Sequence, residues 1–307
     1  MKEKLLIIGG TGFIGRNLVI DSVKSNYKTT SLSLHETDIK DKIKTVKYIQ
    51  ADITDPEQLN DCLTGKDFDY VVNLSGYIDH CQFLNGGRNI IDAHFNGVQN
   101  LLQALKWEKI KRFVQVGSSD EYGSLSAPQH EQMRECPISP YSLGKVASTQ
   151  LLQMLHRTQG FPVIILRLFL VYGPGQNNKR FLPQVIEGCI NDKKFPTSEG
   201  GQLRDFCYID DATQGILKVL KSESANGEVI NLASGKAISI REVLEQVQSL
   251  IGKGEPQFGE FPYRAGENMS LFADVSKAKE LLGWEAQTDL KEGLQQTINY
   301  YKQKIYE

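Results

Sequence analysis

The turn Gly9-Gly10-Thr11-Gly12-Phe13-Ile14-Gly15 limits what this chain can become more than any other stretch. It follows a short apolar run from Lys4 and precedes Phe13, Ile14, Leu18, Val19 and Val23 at helical spacing, so it reads as strand, tight turn and helix. Glycines at the first, fourth and seventh places let backbone N–H groups and the helix N-terminus close on a pyrophosphate. A glycine turn alone is weak evidence. In this strand-to-helix context it marks a dinucleotide site, to which Gly9, Thr11, Gly12, Phe13, Ile14, Gly15 and the following Arg16 belong.

The same strand–helix rhythm runs on to Leu168. A second strand over Lys28–Leu34 brings Ser33 to the place that reads the adenosine ribose. An acid there favours NAD through the 2′-hydroxyl; with Ser33 instead, and Arg16 just after the third glycine, NADP(H) is the preferred cofactor, NAD(H) the possible one. The run Val46 to Ile53 is a strand whose end offers Asp52 and Ile53 to flank adenine. Tyr70 to Gly76 presents Leu74 and Ser75 at its C-terminal end, where ligands bind in open α/β sheets. Strands over Lys111–Val116 and Val163–Leu168 complete the pattern. It predicts an α/β fold with a doubly wound parallel sheet (Rossmann) over residues 1–168, with a return segment at 205–235. A smaller C-terminal α/β substrate lobe takes residues 169–204 and 236–307.

Tyr141 and Lys145 stand one helical turn apart in Pro140-Tyr141-Ser142-Leu143-Gly144-Lys145, so a helix through them puts phenol and ammonium on one face. The nearby cation is expected to pull the phenol down from its ordinary pKa, making it an acid for neutral pH. Ser118, from Gly117-Ser118-Ser119-Asp120, offers a hydroxyl to the same substrate oxygen. A bare Tyr-x-x-x-Lys is more often an exposed helical pair; the glycine turn upstream reverses that weighting.

Composition narrows the partners. Lys and Arg number 35 against 37 Asp and Glu, with no basic tract or acidic tail, which argues against nucleic acid or a membrane surface as partner. The cysteines Cys62, Cys81, Cys136, Cys189 and Cys207 form no Cys-x-x-Cys pair, the first apolar run is too brief for a signal peptide, and a cytoplasmic location follows. The histidines show no ligand spacing, so no metal is expected.

Five segments in order carry a family resemblance: Gly9 to Gly15, Gly117 to Gly123, Tyr141 to Lys145, Arg204 to Asp211, and Arg264-Ala265-Gly266-Glu267 followed by Ala273-Asp274. Over essentially its full length the chain resembles the extended short-chain dehydrogenase/reductases, the nucleotide-sugar epimerase and dehydratase group. The resemblance implies a dinucleotide in the N-terminal domain and a nucleoside-diphosphate sugar in the C-terminal lobe. It makes Tyr141 the catalytic acid/base, Lys145 its tuner and a ribose contact, Ser118 the hydroxyl partner, and Ser118 and Ser119 contacts of the sugar. Arg204 and Arg264 would bind the diphosphate, suited by the guanidinium fork; a surface ion pair is the plainer reading of each. A homodimer through helices near residues 90–105 and 141–158 is implied as well.

Departures from the family pattern are Leu170 in place of an asparagine, Thr197 in place of a base-stacking aromatic, and His94 in place of an asparagine. They resemble the branch that reduces 4-keto-6-deoxy sugars, the CDP-abequose and dTDP-fucose synthases. In Ser118-Ser119-Asp120-Glu121 the acids fall one place late for a 4,6-dehydratase, leaving Asp120 at the position of that subgroup's glutamate. The expected reaction is therefore NADPH-dependent reduction at C4 of a nucleotide-activated 4-keto-6-deoxyhexose, with Tyr141 as proton donor. C4 epimerisation with NAD is the alternative and dehydration, with Asp120 as base, the third.

Overall fold

A computed structural model describes residues 2–38, 42–263 and 266–306, and its centre is the strand β1 (Lys4–Ile8). Leu5 and Ile7 point into one apolar layer and Leu6 and Ile8 into the other, because successive strand side chains alternate faces. A strand covered on both sides has to be apolar nearly throughout, and in β1 all but Lys4 is buried.

The chain winds outward as α1 (Phe13–Lys24), β2 (Lys28–Ser33), β3 (Lys47–Gln50), α2 (Pro56–Leu63) and β4 (Tyr70–Asn73). It returns as α3 (Gly87–Ile91), α4 (Gly97–Ala104), β5 (Arg112–Ser118), α5 (Pro140–Gln159) and β6 (Val163–Leu168). Then follow β7 (Leu170–Tyr172), α6 (Phe181–Ile190), β8 (Lys194–Pro196), β9 (Leu203–Tyr208), α7 (Ile209–Val219) and β10 (Val229–Leu232). The last elements are β11 (Ala237–Ser239), α8 (Ile240–Ile251), β12 (Glu255–Gln257), β13 (Ser270–Leu271), α9 (Ser276–Leu282) and α10 (Leu290–Tyr306).

Seven parallel strands lie in the order β10-β6-β5-β4-β1-β2-β3. Winding reverses between β1 and β4, and the strand ends there open the crevice in which such sheets bind ligands. The doubly wound sheet read from the sequence is thus present, with one correction. The segment through Arg204 and Asp205 does not return to the large sheet: β9 pairs with β7, β11 and β13 in a smaller one. Only β10 returns, beside β6. A six-residue β-rich run fits either sheet by pattern; long-range pairing decided which.

The helix expected over residues 90–105 is broken. A π-helical turn, Asp92–Asn96, separates α3 from α4 and carries the buried His94. Helix α5 starts where the sequence says it should: Ser139 caps it by accepting from the Ser142 N–H, Pro140 occupies the first turn, and Gly160 ends it in a left-handed conformation. No helix among the described residues is long and apolar enough to cross a membrane.

Candidate functional site

One cavity of about 1360 Å³ runs from the glycine turn, past Tyr141, to the lobe side of β9. Gly9, Gly12, Phe13, Ile14, Gly15, Leu74, Ser75, Ser118, Tyr141, Lys145 and Arg204 all line it, so most of the residues singled out from the sequence meet in one place. At its first end, a side chain on Gly15 would overlap the Gly9 carbonyl oxygen, and Gly9 itself has φ +81°, a left-handed backbone that favours glycine. The amino end of α1 has no side-chain cap and no acid in its first turn, so its N–H groups are left for an anion. These features fit the pyrophosphate of a dinucleotide.

Other expected cofactor contacts do different work. Ser33 is 5% exposed and its hydroxyl accepts from the Thr11 N–H at 3.1 Å, bracing the glycine turn from within. Arg16 does not face the ribose end: a side chain on Gly175 would run into its guanidinium, which lies by the lobe. Asp52 accepts from the Thr54 N–H and hydroxyl at 2.8 and 2.7 Å, fixing its own turn. Ile53 is buried against Gly97. Thr11, Arg16, Ser33, Asp52 and Ile53 are not among the residues that line the cavity.

At the middle, β5 delivers Ser118 and α5 delivers Tyr141 and Lys145, which are 8%, 4% and 5% exposed. The Lys145 ammonium donates to the Val116 carbonyl at 2.8 Å and lies 6.0 Å from the centre of the Tyr141 ring. Burial pushes it down to about 8, opposed by Glu121. The expected lowering of Tyr141 is not found. Burial raises the phenol well above its ordinary value; Ser118 and Arg180 pull it down, while Asp120 and Glu121 push it further up. Desolvation outweighs a cation one helical turn away, because that cation is itself buried and spent on a backbone carbonyl. The resting phenol is protonated.

Glu121 is fully buried. One carboxylate oxygen accepts from the Ser118 N–H at 2.9 Å; the other accepts from the Thr149 hydroxyl at 2.9 Å and from Arg167 Nε at 3.0 Å. Arg167, likewise 0% exposed, also reaches Glu135 at 2.6 Å and stacks over Tyr122. Glu121 therefore holds the backbone of Ser118 and is withdrawn from the cavity. Ser-x-x-Glu at 118–121 is a capping-box spacing, so this role was readable in advance and was missed. Asp120, the other acid of this segment, is not among the residues that line the cavity; its N–H donates to the Ser118 hydroxyl at 3.1 Å. Burial raises its pKa, opposed by His80 and Arg204 and reinforced by Glu121 and Glu267.

Two histidines flank the phenol, of which the sequence reading noted His94 as a departure from the family's asparagine and gave His80 no role. His80 Nε2 lies 3.6 Å from an Asp120 carboxylate oxygen, and the His80 ring stands edge-on to Tyr141 at 5.7 Å. His94 also stands edge-on to Tyr141, at 4.9 Å, its Nε2 3.0 Å from the Tyr77 carbonyl. Burial, helped by Lys145, pushes His94 down to about 3, so it stays neutral. Gly76 has φ +99° and no room for a side chain beside that ring.

On the lobe side, Arg204 lines the cavity and forms a short ion pair with Glu267. Arg264, its expected partner, lies outside the described residues. Ser119 is 7% exposed and not among the lining residues. Among the described residues no group of three or more His, Cys, Asp or Glu could hold a metal.

Residues 5–233 match the model of the family described as "NAD dependent epimerase/dehydratase family". The chain is similar to the UDP-glucuronate 4-epimerase of Thermodesulfobacterium geofontis, 30% identical over 98% of this chain and 96% of that one. It is also similar to a dTDP-glucose 4,6-dehydratase of Haemophilus influenzae, 27% identical over 97% of each. Among solved structures, the UDP-glucuronic acid 4-epimerase from Bacillus cereus in complex with UDP-glucuronic acid and NAD is 28% identical, with a TM-score of 0.87 over 98% of this chain and 99% of that one.

Proposed function

We propose, from the premise that this chain belongs to the NAD-dependent epimerase/dehydratase family, that it inverts C4 of a nucleoside-diphosphate hexose. One observation carries the reading: Ser118, Tyr141 and Lys145 converge on one cleft while Glu121 is bound up in a buried ion pair. Glu121 is thus no free base, and Asp120, with its shorter side chain at the place of the dehydratases' glutamate, is the acid that dehydration would have to use. Bound NAD would supply a hydride acceptor that returns what it takes.

The chain's own groups do the rest. The Ser118 hydroxyl and Tyr141 phenol hold O4; Tyr141 first gives its own proton to solvent, then as phenolate takes the O4 proton as the C4–H bond breaks and gives it back after the sugar has turned. A Tyr141 phenolate is offset by the Lys145 ammonium, which the Val116 carbonyl holds in place. Arg204 exchanges Glu267 for diphosphate oxygens.

The similarity to a UDP-glucuronate 4-epimerase, and to one solved with NAD, supports epimerisation with NAD over the reduction with NADPH expected from the sequence. The preference for NADP leaned on Arg16, whose guanidinium faces Gly175. Reduction of a 4-keto sugar stands as the second reading, favoured by Ser33 where an acid would read NAD and by a phenol that rests protonated, ready to donate. A homodimer through α3, α4 and α5 belongs to the same proposal; Leu143 and Met154 on α5 are 47% and 39% exposed.

Two incubations separate the readings. UDP-glucuronate and UDP-glucose, without added cofactor, are followed by NMR for the 4-epimer. CDP- and dTDP-4-keto-6-deoxyglucose with NADPH are followed by loss of nicotinamide absorbance. Epimer formation in the first supports the proposal; absorbance loss in the second, with no epimer in the first, replaces it by reduction.

A further inference from the structure

Epimerisation at Tyr141 begins by taking a proton from a phenol whose surroundings keep it. Burial raises that phenol most; Ser118 lowers it, and Asp120 and then Glu121 push it up again. The two acids are not alike. Glu121 faces the Arg167 guanidinium at 3.0 Å inside the protein, so its charge is answered. Asp120 is held in place by its N–H on the Ser118 hydroxyl, and among the described residues the group at ion-pair distance from it is His80, with Nε2 3.6 Å from the carboxylate.

His80 reaches Asp120 from the loop after β4. On that loop the other acid, Asp79, is turned to the Cys81 N–H at 2.8 Å, which leaves the imidazole to Asp120. The same ring stands edge-on to Tyr141 at 5.7 Å, so one side chain lies against both the carboxylate and the phenol. It is 48% exposed, open to exchange of its proton with solvent. Burial raises Asp120 most, and of the groups that oppose that rise His80 comes ahead of Arg204. Arg204 is already paired with Glu267, which pushes Asp120 the other way. The remaining charges near the phenol have other work or come from further along the chain: Lys145 donates to the Val116 carbonyl, His94 is neutral, and Arg180 pulls on the phenol from the start of α6.

We propose that His80 is a positioning residue for the C4 reaction: paired with Asp120, it answers that carboxylate's charge, so that a phenolate can form at Tyr141 beside it. Without the imidazole, a new negative charge at Tyr141 would face an unanswered one in a partly buried site, where like charges disfavour each other more than in water. The inference rests on the epimerase reading, in which Tyr141 has to ionise, and adds to it a group that lets it do so.

The test is an NMR titration of NAD-loaded protein labelled with carbon-13 at the oxygen-bearing ring carbon of tyrosine, Tyr141 being the signal lost in Tyr141→Phe. His80 is exposed on a loop, so its variants should fold as the parent does. In His80→Ala the Tyr141 titration should move up by about one pH unit, and the acid limb of kcat/KM for C4 turnover with it. Asp120→Asn in the same background should bring both back, which a ring that merely props the loop would not allow. His80→Arg, a cation of fixed charge, should keep the titration at or below the parent's. No movement in His80→Ala, a movement that Asp120→Asn does not reverse, or a phenol that stays protonated in every variant overturns the proposal. The expected NMR shifts without C4 turnover would sink the epimerase reading and leave the pairing standing, whereas turnover with an unmoved titration would sink the pairing alone.

Discussion

Along β5 and α5 the cleft wall is rigid. Ser118, Tyr141 and Lys145 are each under a tenth exposed, sit on a strand end and a capped helix, and are fixed by Glu121, Val116 and His94. Across the cleft, along β9 and the segment before β13, the groups are provisional: Arg204 is paired with Glu267, the Gln202 oxygen has no described partner, and Phe261 lies open. Chemistry needs geometry held before the substrate arrives, and a buried wall braced by hydrogen bonds provides it. Recognition of a charged, flat-ended ligand can be assembled from groups that exchange one partner for another.

The difference can be broken from the catalytic side first. Tyr141→Phe should cut kcat by about 10²–10⁴ with little change in the affinity for UDP, seen by comparing steady-state rates with calorimetric titration. Equal losses in both would erase the division of labour between the walls. Next is Glu121→Gln. It leaves the buried Arg167 with only Glu135 as carboxylate partner, and a loss of about 3 kcal/mol in unfolding free energy is expected in urea titrations. If the variant is as stable as the parent, the wall owes its rigidity to something else.

The substrate side is probed by Arg204→Leu, which should raise KM about 10- to 100-fold and leave kcat within a few-fold, since the charge-assisted bonds it removes hold the ground state and transition state alike. A drop in kcat instead would move Arg204 to the reacting centre. His94→Asn tests the packing behind Tyr141. The folded ring takes its proton only near about 3, the unfolded ring at its ordinary value, so the unfolded chain binds more protons as pH falls from 6.5 towards 3 and stability is lost in that window. Between pH 7 and 5.5 that loss is about 1 kcal/mol in the parent and absent in the variant, measured by urea melts at the two pH values. The smallest effect expected is from Asp120→Asn, a few-fold at most in kcat; a collapse as deep as that of Tyr141→Phe would identify a second base and revive dehydration.

Much of this was legible in the residues. The glycine turn gave the first strand, turn and helix because only glycine allows that approach of backbone to backbone, and Ser139-Pro140 marked the start of α5 because a cap and a ring without N–H suit a first turn. The convergence of Ser118, Tyr141 and Lys145 followed from strand-end and helix spacing. What the sequence could not give is where side chains settle: Ser33 braces the glycine turn, Asp52 its own turn, and Arg16 lies beside Gly175, because each side chain turns to a partner that position along the chain does not name. Glu121 was given no role, although its capping-box spacing is local and readable.

The order and identity of the residues determined the large sheet, its layers and the three groups that do chemistry, because backbone periodicity and caps act over a few residues. Tertiary structure alone decided that the Tyr141 phenol rises instead of falling, that Arg204 waits on Glu267, and that β9 joins the lobe. Each of these depends on burial and on partners brought from far along the chain, and desolvation and pairing are set by what surrounds a group in space.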